Sequence, residues 1–397
     1  MNVRDIIGRD RALFAQDVSH HGKLLSDAIR GSRVLLIGGA GSIGKEVAAQ
    51  IFCRGPAALH IVDISENNLV ELVRSLRSSV GYIEGETLFL PVDMGGIEFR
   101  SFVDSQQPYD HVLNLAALKH VRSEKDAYSL MRMIRTNVLH TRDTLAFARG
   151  GKARKYFAVS TDKAKNPANL MGATKRIMED VLFREDGHTT VSTARFANVA
   201  FSDGSLLHGF RQRLALRQPI SAPRDVRRYF MTGEESGLLC LCSLALGRSR
   251  EIFFPKLDAE MSLLTFSAIA VRFLESEGYE PVEVSSEEEA RAKAIELIPR
   301  RKWPCYFFGS DTSGEKPFEE FCSNDDAVDW SRFEDIGVIT APPLTASQEA
   351  RLDGFLSIVT RAIDRGNWTK AELVRAICDA CPDLSHVDTG KYLDDKM

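Results

Sequence analysis

Short apolar runs alternate with amphipathic segments through the first half of the chain. Residues 33–38 (RVLLIG) are a continuous apolar run, which is typical of a strand buried on both faces of a parallel sheet. Ile43, Val47 and Ile51 follow at a spacing of four and predict a helix with one apolar face. Further strand-like runs are 59–62 (LHIV), 87–92 (TLFLPV), 111–118 (HVLNLAAL) and 154–160 (RKYFAVS). This order predicts an α/β fold with a Rossmann-type doubly wound parallel sheet, which binds ligands at its carboxyl edge.

The pattern is helical toward the C-terminus. Thr345-x-x-Gln348 and Thr369-x-x-Glu372 are capping boxes. The apolar residues at helical spacing are Leu352, Phe355, Val359 and Ile363 after the first box, and Leu373 and Ile377 after the second. We predict a helical C-terminal appendage over 326–397 that packs on the rest of the chain or on a neighbouring subunit.

Composition narrows the class of protein. The chain has 397 residues, 44% of them hydrophobic, and a formal net charge of −4. No block is rich in Lys and Arg, so no nucleic-acid partner is expected. No run reaches the roughly 20 apolar residues that cross a bilayer, so no membrane partner is expected, and residues 237–246 (GLLCLCSLAL) predict a buried helix.

The cysteines indicate the compartment. Seven scattered cysteines are an odd number, which makes a disulfide framework improbable and favours a reducing cytoplasm. Cys378-x-x-Cys381 is a lone pair at the end of a helical pattern, and we interpret it as packing. No metal site is expected.

The turn after the first strand is rich in glycine and reads Gly38-Gly-Ala-Gly41-Ser42-Ile43-Gly44. Between a strand and a helix, such a turn lets backbone N–H groups approach a pyrophosphate, and the helix N-terminus adds a favourable dipole. The candidate cofactor-binding residues here are Gly38, Gly41, Ser42, Ile43 and Gly44. Because glycines also serve ordinary tight turns, the motif depends on its context.

Residues at the ends of the next strands supply that context. Asp63 ends the second strand, about 20 residues after the last glycine, where a carboxylate accepts hydrogen bonds from the adenosine ribose. It would repel a 2′-phosphate, which favours NAD over NADP; a role as a turn or cap residue is the alternative. Asp93 and Met94 are suited to line an adenine pocket. Ala116 and Ala117 are small enough to leave room for a dinucleotide.

Seven segments together carry a family resemblance. They are DIIGRD (5–10), GGAGSIG (38–44), NLAALKHV (114–121), VSTDKAKNPANLMGATKR (159–176), RFANVAFSDGS (195–205), RRYFMT (227–232) and GEKPFEEF (314–321). The set resembles the nucleotide-sugar 4,6-dehydratases of the extended short-chain dehydrogenase/reductase family. Within that family it is most similar to the polysaccharide-biosynthesis branch acting on UDP-N-acetylglucosamine, and to a subgroup with methionine at position 171. Of these segments, STDKA and GATKR are specific and the glycine motif is not.

The resemblance implies NAD as cofactor and a definite reaction. Oxidation at C4 of the sugar makes the C5 proton acidic, water leaves across C5–C6, and the hydride returns to C6. The implied product is UDP-2-acetamido-2,6-dideoxy-4-hexulose with retention at C5, a precursor of deoxyamino-sugar glycans. Such chemistry needs a base for the 4-hydroxyl, a base for C5–H and an acid for the departing 6-hydroxyl.

Three consecutive residues after the fifth strand are candidates for these tasks. Lys163 is the expected C5 base, which requires a neutral amine that burial and a second cation, Lys175, would favour. Asp162 is the expected acid. Thr161 is suited to hydrogen-bond the 4-hydroxyl or the ketone oxygen. The alternative is an ordinary solvated loop.

Met171 occupies the position of a tyrosine that, in most related dehydratases, is taken to activate the 4-hydroxyl. We predict that Asn169 caps a helix, which places Met171 and Lys175 on one face at i, i+4. Methionine cannot ionise or donate a hydrogen bond. The task is expected to fall to water, Asp162 or Thr161, assisted by Lys175, which is also expected to reach the nicotinamide ribose. Loss of catalysis is the alternative.

Candidate substrate-binding residues follow from the same resemblance. They are Lys119, His120, Asn198, Ser205, Arg211, Arg228 and Glu315. The arginines suit a diphosphate, and Glu315 resembles an acidic residue that holds the nucleotide ribose. Thr312 stands where family members usually carry an arginine. A UDP-sugar is the expected substrate, and a GDP-sugar stays open.

The resemblance and the patterns divide the chain into four expected parts. These are a leader at 1–30, an NAD-binding Rossmann domain at 31–200, a substrate lobe at 201–325 with an insertion near 280–303, and the appendage at 326–397. The helical segments 123–149 and 171–184 are expected to pair with another copy, giving a homodimer or higher homo-oligomer. Alternative functions are a C5-inverting dehydratase, a nucleotide-sugar 4-epimerase and a non-catalytic protein that binds a sugar nucleotide.

Overall fold

The centre of the fold is a nine-stranded β-sheet. A computed structural model describes residues 2–184, 187–257, 263–310, 318 and 320–386. The strands are β1 (Arg33–Ile37), β2 (Ala58–Asp63), β3 (Glu86–Pro91), β4 (His111–Asn114), β5 (Lys155–Val159), β6 (Thr190–Ala194), β7 (Asn198–Val199), β8 (Ile220–Pro223), β9 (Arg227–Met231), β10 (Glu251–Pro255), β11 (Leu263–Thr265), β12 (Glu280–Val284), β13 (Lys302–Phe308), β14 (Val328–Asp329) and β15 (Ile336–Thr340). The helices are α1 (Val3–Ile6), α2 (Ala15–Ile29), α3 (Ser42–Phe52), α4 (Glu66–Ser79), α5 (Ile97–Ser105), α6 (Ala127–Ile134), α7 (His140–Gly150), α8 (Leu170–Phe183), α9 (Leu206–Ala215), α10 (Gly233–Leu246), α11 (Phe266–Ser276), α12 (Glu287–Leu297), α13 (Ala346–Arg365) and α14 (Lys370–Ala380).

The main sheet has the order β14-β15-β10-β6-β5-β4-β1-β2-β3. The strands from β10 to β3 pair in parallel, and β15 pairs antiparallel with β10 and β14. The predicted doubly wound parallel sheet is confirmed. From β1 the chain proceeds to β2 on one side and later returns to β4 on the other, so a crevice opens at the carboxyl ends of β1 and β4.

Helices cover the sheet and explain its apolar strands. The side chains of Val34, Leu35 and Leu36 in β1 are fully buried. Helix α10 packs against α2 and α3 and is buried along most of its length, which confirms the helix predicted from residues 237–246. A strand with helices on both faces has no solvent side, and this is why its sequence does not alternate.

The N-terminal residues are anchored to the main core. Arg9 forms a buried ion pair with Glu235, which also completes the capping box of α10. Arg11 donates two hydrogen bonds to the carboxylate of Asp335, at 2.7 and 2.8 Å, beside the start of β15. Phe14 is fully buried in the core. The predicted leader therefore packs on both apolar cores, since Ile6 and Ile7 belong to the core that includes Phe273.

The second half of the chain adds two small sheets, β11-β9-β7 and β12-β13-β8. Their apolar core is separate from that of the main sheet and includes Phe210, Phe273 and Trp303. The segment expected to be an insertion supplies β12 and α12. Strand β12 pairs in parallel with β13 at the edge of its sheet, and Ala290 of α12 is buried.

The last part of the described chain corrects one expectation. Residues 326–397 are not wholly helical, because β14 and β15 lie within this range and extend the main sheet. Helices α13 and α14 follow, and their capping boxes at Thr345 and Thr369 are confirmed. We call these two helices, with the loop between them, the C-terminal hairpin.

The C-terminal hairpin covers helices that were expected to pair with another copy. Ile134 of α6 and Ile177 of α8 share one buried cluster with Phe355 and Val359 of α13 and Ile377 of α14. This apolar face is already buried within the chain, and the pairing of the two segments with a second copy stays a prediction. A contact between copies would have to use another surface.

The described residues were searched for membrane-spanning helices and for metal-binding groups. There, no helix is both long and apolar enough to cross a membrane. The same residues contain no group of three His, Cys, Asp or Glu side chains that could hold a metal ion. All seven cysteines are free, and Cys381 packs in the core beneath the C-terminal hairpin.

Candidate active site

The glycine-rich turn joins β1 to α3 and is tightly packed. Gly38 has a φ of +73°, and a Cβ atom there would lie 2.5 Å from the backbone nitrogen of Ala116. A Cβ atom on Gly44 would lie 2.2 Å from the carbonyl oxygen of Gly38. Glycine is therefore required at both positions. At Gly41 the nearest atom would be 3.5 Å away, so this glycine leaves space rather than avoiding a clash.

A cleft of about 490 Å³ opens beside this turn, at the carboxyl ends of β1 to β4. The predicted cofactor residues that line it are Gly38, Gly41, Asp63, Asp93, Met94, Ala116 and Ala117. Ser42, Ile43, Gly44 and Lys175 do not line this cleft. Seven of the predicted cofactor residues therefore line one cleft. This agrees with parallel strands whose carboxyl ends share one edge of the sheet.

Asp63 has the turn role that was the alternative for its position, and its predicted contact with the adenosine ribose stays a prediction. Its Oδ2 accepts a hydrogen bond from the backbone nitrogen of Ala40 at 3.0 Å, and its Oδ1 accepts one from Ser65 at 2.9 Å. The carboxylate therefore holds the glycine-rich turn while its side chain faces the cleft. Each oxygen has a second lone pair that is available to a ligand.

Two loops meet the start of α3. Ser42 Oγ donates to Asp203 Oδ2 and accepts from the backbone nitrogen of Asp203, both at 2.8 Å. Lys119 Nζ donates to Ser202 Oγ at 3.3 Å. A Cβ atom on Gly204 would lie 2.7 Å from Nε2 of His120. The predicted substrate residues Lys119 and His120 therefore lie against the 202–205 loop, next to the glycine-rich turn.

Burial lowers the pKa values of Lys119 and His120. Burial lowers the pKa of Lys119, with Asp203 acting in the opposite direction. Burial also lowers the pKa of His120, and the charges of Lys119 and Arg122 lower it further. His120 is accordingly neutral at physiological pH and can accept or donate a hydrogen bond.

Thr161, Asp162 and Lys163 form a compact turn directly after β5. Asp162 Oδ1 accepts hydrogen bonds from Thr161 Oγ1 at 2.8 Å, from the backbone nitrogen of Lys163 at 2.8 Å and from Lys163 Nζ at 3.0 Å. The Asp162 side chain is 2% exposed and that of Lys163 is 19% exposed. The three predicted catalytic residues are thus in mutual contact, and the amine of Lys163 lies against the buried carboxylate of Asp162.

Helix α8 supports this turn. Asn169 caps the helix, as predicted, by accepting a hydrogen bond from the nitrogen of Gly172 at 2.8 Å. A Cβ atom on Gly172 would lie 2.4 Å from the carbonyl oxygen of Lys163, so the helix and the turn can approach this closely only at a glycine. Glu124, which the sequence did not identify, accepts from the nitrogen of Met171 at 2.8 Å.

Lys175 and Met171 lie one turn apart on the buried face of α8. Met171 is 3% exposed and Lys175 is equally buried. Lys175 Nζ donates to the carbonyl oxygen of Val159 at 2.8 Å, at the end of β5. Burial lowers the pKa of Lys175 to about 7, against a smaller opposing effect from Glu179. The amine can therefore exchange a proton near neutral pH.

A buried ion pair behind Lys175 was missed from the sequence. Glu179 accepts hydrogen bonds from Ser160 Oγ at 2.7 Å and from Nε and Nη2 of Arg195 at 3.0 and 2.7 Å. Burial raises the pKa of Glu179, but the Arg195 guanidinium outweighs this and lowers it overall. The one sequence signal was that Glu179 follows Lys175 at a spacing of four, on the same helix face.

The remaining predicted substrate residues are less closely grouped. Asn198 Nδ2 donates to the carbonyl oxygen of Tyr229 at 3.4 Å. Ser205 caps α9 by accepting from the nitrogen of His208. Arg228 is buried on β9, whereas Arg211 is exposed and its guanidinium lies 4.0 Å from the centre of the Phe201 ring. Glu315 and Thr312 lie outside the described residues.

Comparison with known proteins assigns the family. Residues 34–341 match the family described as polysaccharide biosynthesis protein. The chain belongs to this family. The match covers both lobes of the described structure, from β1 to the residue after β15.

The relatives of this chain differ in their names and in their lengths. The chain is 27% identical to an uncharacterized membrane protein of Methanocaldococcus jannaschii, over 79% of this chain and 87% of that protein. It is 29% identical to the capsular polysaccharide biosynthesis protein CapD of Staphylococcus aureus, over 68% of this chain but only 45% of CapD. It is 28% identical to the UDP-glucose 4-epimerase of Rickettsia typhi, over 60% of this chain and 62% of the epimerase.

Solved structures support the fold assignment. Pen from Bacillus thuringiensis has a TM-score of 0.64 at 23% identity, covering 79% of this chain and 89% of Pen. The dTDP-glucose 4,6-dehydratase DesIV of Streptomyces venezuelae, with NAD bound, has a TM-score of 0.55 at 16% identity, covering 73% and 88%. The UDP-glucose 4-epimerase of Thermotoga maritima, with UDP-glucose, has a TM-score of 0.54 at 16% identity, covering 74% and 90%. At these identities the likeness is one of fold.

Proposed function

We propose that this protein is an NAD-dependent nucleotide-sugar 4,6-dehydratase. Its substrate is UDP-N-acetylglucosamine, and its product is UDP-2-acetamido-2,6-dideoxy-4-hexulose with retention at C5. The observation that carries the proposal is the contact of 3.0 Å between Lys163 Nζ and Asp162 Oδ1 after β5. Elimination of water across C5–C6 needs a base at C5 and an acid at the neighbouring 6-hydroxyl of the sugar, and these two side chains are neighbours.

The described residues fit a dinucleotide. Gly38 and Gly44 permit a turn that no side chain could enter, and Gly41 leaves open space between that turn and the cleft. Asp63 and the small residues Ala116 and Ala117 line the same cleft. Bound NAD would supply reversible oxidation at C4 of the sugar. The carboxylate of Asp63 accepts hydrogen bonds from the backbone nitrogens of Ala40 and Ser65, and an acidic residue at this position disfavours a 2′-phosphate.

Lys163 and Asp162 divide the elimination between them. In the 4-keto sugar, the amine of Lys163 removes the proton from C5, and the carboxyl group of Asp162 gives a proton to the 6-hydroxyl, which leaves as water. The proton taken from C5 and the proton given to the 6-hydroxyl balance, and the elimination ends with an ammonium and a carboxylate in contact, the arrangement of the Lys163–Asp162 pair.

Met171 leaves the 4-hydroxyl without an ionisable partner at that position. Thr161 Oγ1 is bonded to Asp162 and is suited to relay a proton from the 4-hydroxyl. Lys175 has a pKa of about 7, so a neutral amine is available near physiological pH to accept that proton through water. We assign Thr161 to contact the 4-hydroxyl and Lys175 to the nicotinamide side of the site.

The substrate nucleotide is assigned to the side of the 202–205 loop. Lys119 and the neutral imidazole of His120 meet this loop, and both can bind sugar or phosphate oxygens. Buried Arg228 on β9 is the cation that we assign to the diphosphate. Arg211 packs on Phe201 and is a weaker candidate for this role.

Proton NMR in heavy water tests the proposed function. Incubation with UDP-N-acetylglucosamine should give a new C6 methyl signal, with deuterium from solvent at C5. A galacto-configured product without a methyl signal would instead make the protein a 4-epimerase, the activity named for several relatives. Binding of the nucleotide sugar without turnover would contradict an enzymatic function. Parallel incubations with GDP-sugars test which nucleotide the enzyme accepts. The configuration of the product at C5 distinguishes retention from inversion.

A further inference from the structure

The loop of the C-terminal hairpin reaches the cleft that we assign to the cofactor. Helix α13 ends at Gly366, which has a φ of +66°, and α14 begins after Thr369. Between them lies Trp368, whose side chain is part of the cleft wall. The same cleft is also lined by Asp63, Asp93 and Met94 at the ends of β2 and β3, more than 270 residues earlier in the sequence.

Trp368 is held in place by contacts to α6. Its indole Nε1 donates a hydrogen bond to the carbonyl oxygen of Ala127 at 3.0 Å. Its ring meets that of Tyr128 edge to face, with ring centres 6.3 Å apart. Beneath it, α13 and α14 are packed on α6 and α8 through a buried apolar cluster. An indole fixed in this way loses little conformational entropy when a ligand packs on it.

Tyr128 lines the cleft, and 77% of its surface is exposed, which is a high fraction for a large aromatic side chain.

Two cations, Arg132 and Arg135, also line the cleft one helical turn apart. Among the described residues neither guanidinium forms an ion pair. The mouth of the cleft thus combines two aromatic rings with two cations, a combination that suits a flat, electron-rich base joined to phosphate.

The position along the cleft determines which half of a dinucleotide meets these rings. The pyrophosphate belongs at the glycine-rich turn, and the adenosine ribose at Asp63. Asp93 and Met94 lie beyond Asp63, away from Lys163 and Lys175, since β3 is at the far edge of the sheet from β5. Trp368 and Tyr128 line the same cleft as Asp63, Asp93 and Met94.

We infer that the C-terminal hairpin completes the adenosine half of the cofactor site, with Trp368 and Tyr128 contacting the adenine and Arg132 and Arg135 supplying positive charge. The hairpin thereby retains the cofactor between turnovers, which a reaction that regenerates its own cofactor requires. This inference rests on the proposed NAD-dependent function for the identity of the ligand. It assigns a binding role to a segment in which the sequence indicated packing alone.

Binding measurements on cofactor-free protein test the inference. We compare the wild-type protein with Trp368→Ala and Tyr128→Ala, using NAD and ADP-ribose in isothermal titration. Each variant should weaken both ligands by a similar factor, roughly three- to tenfold, because the lost contact is to the part that they share. Dissociation of NAD, followed by dilution, should accelerate by the same factor.

Tryptophan emission gives a second readout. The chain has three tryptophans, and ADP-ribose should quench the wild-type emission while leaving Trp368→Phe unquenched. Trp330→Ala is the matched control, since Trp330 is half-exposed and lies beside β14 at the opposite edge of the main sheet. It should bind both ligands as the wild type does.

The outcomes separate this inference from the proposed function. Unchanged affinity in both Trp368→Ala and Tyr128→Ala would overturn the role of the hairpin while leaving the dehydratase proposal intact. Weaker binding in Trp368→Ala alone, together with a lower melting temperature, would mean that Trp368 only packs, and would also overturn it. A wild-type protein that binds neither NAD nor ADP-ribose would remove the cofactor itself and both proposals with it.

Discussion

Lys175 Nζ donates a hydrogen bond to the carbonyl oxygen of Val159 at 2.8 Å, joining the buried face of α8 to the end of β5. The link places an ionisable amine at the carboxyl edge of the sheet, where burial lowers its pKa to about 7. The same burial that suits the amine to proton exchange makes its charged form costly to the fold.

Lys175 should therefore make stability depend on pH. Its pKa is lowered in the folded state, so between about pH 7 and pH 10 the unfolded chain binds more protons, and stability rises with pH by up to about 1.4 kcal/mol per unit. Lys175→Met should remove this contribution. Urea unfolding at pH 6.5 and pH 9 measures it: the variant should gain stability relative to the wild type at the lower pH, and this difference should shrink at the higher pH. An equal difference at both values would contradict a buried, titrating amine.

Lys163→Ala should abolish elimination in a protein that still folds. The variant should melt at a lower temperature, because the buried carboxylate of Asp162 loses its cation, and should keep its bound cofactor, yet lose methyl formation by a factor of about 10² to 10⁴, the usual contribution of a general base. Lys165→Ala is the matched control, because Lys165 is on the same turn but pairs with Asp326 at 3.1 Å. Turnover near the wild-type rate in Lys163→Ala would remove the proposed C5 base.

Alanine at two glycines of the turn should have different effects. Gly44→Ala forces a Cβ atom to within 2.2 Å of the Gly38 carbonyl oxygen, so we expect destabilisation of about 3 kcal/mol or more, since backbone must move in a packed core. Gly41→Ala meets its nearest atom at 3.5 Å and should fold normally but bind NAD more weakly. Thermal melts and titrations on both variants distinguish a structural glycine from one that makes room for a ligand.

Arg195→Met should be strongly destabilising. It leaves the carboxylate of Glu179 buried without its main partner, at an expected cost of about 3 to 5 kcal/mol in the free energy of unfolding. Arg184→Met breaks the pair between Arg184 and Asp353, 2.7 Å apart but largely exposed, and should cost less than about 1 kcal/mol. Denaturant unfolding measures both. Equal small effects would show that the Arg195–Glu179 pair is not coupled to folding.

Local signals in the sequence account for much of the site. The glycine-rich turn, Asp63 and the turn at Thr161–Asp162–Lys163 were all predicted, because each follows a strand directly and parallel strands share a carboxyl edge. The caps at Asn169, Thr345 and Thr369 were also predicted, since a cap involves residues only three positions apart. The sequence could not establish the reaction itself, because the same scaffold serves dehydratases and epimerases.

Contacts between distant parts of the chain account for what the predictions from sequence got wrong or left out. The strands β14 and β15 were read as part of a helical appendage, because two and five residues are too few for a clear period. The cover that the C-terminal hairpin gives to one face of the 123–149 and 171–184 segments was not predicted, because an apolar helix face does not reveal which partner will cover it.

By itself, the sequence determined the alternation of strands and helices as far as β5, the turn that no side chain can enter and the three residues after β5 that the proposed chemistry uses. These features depend on neighbours in the chain, so local pattern was sufficient to find them. Only the tertiary structure decided that Glu179 meets Arg195, that the C-terminal hairpin covers α6 and α8, and that Trp368 reaches the cleft beside Asp63. Each of these contacts joins residues that are far apart in the chain, and such contacts are fixed by packing rather than by any periodicity.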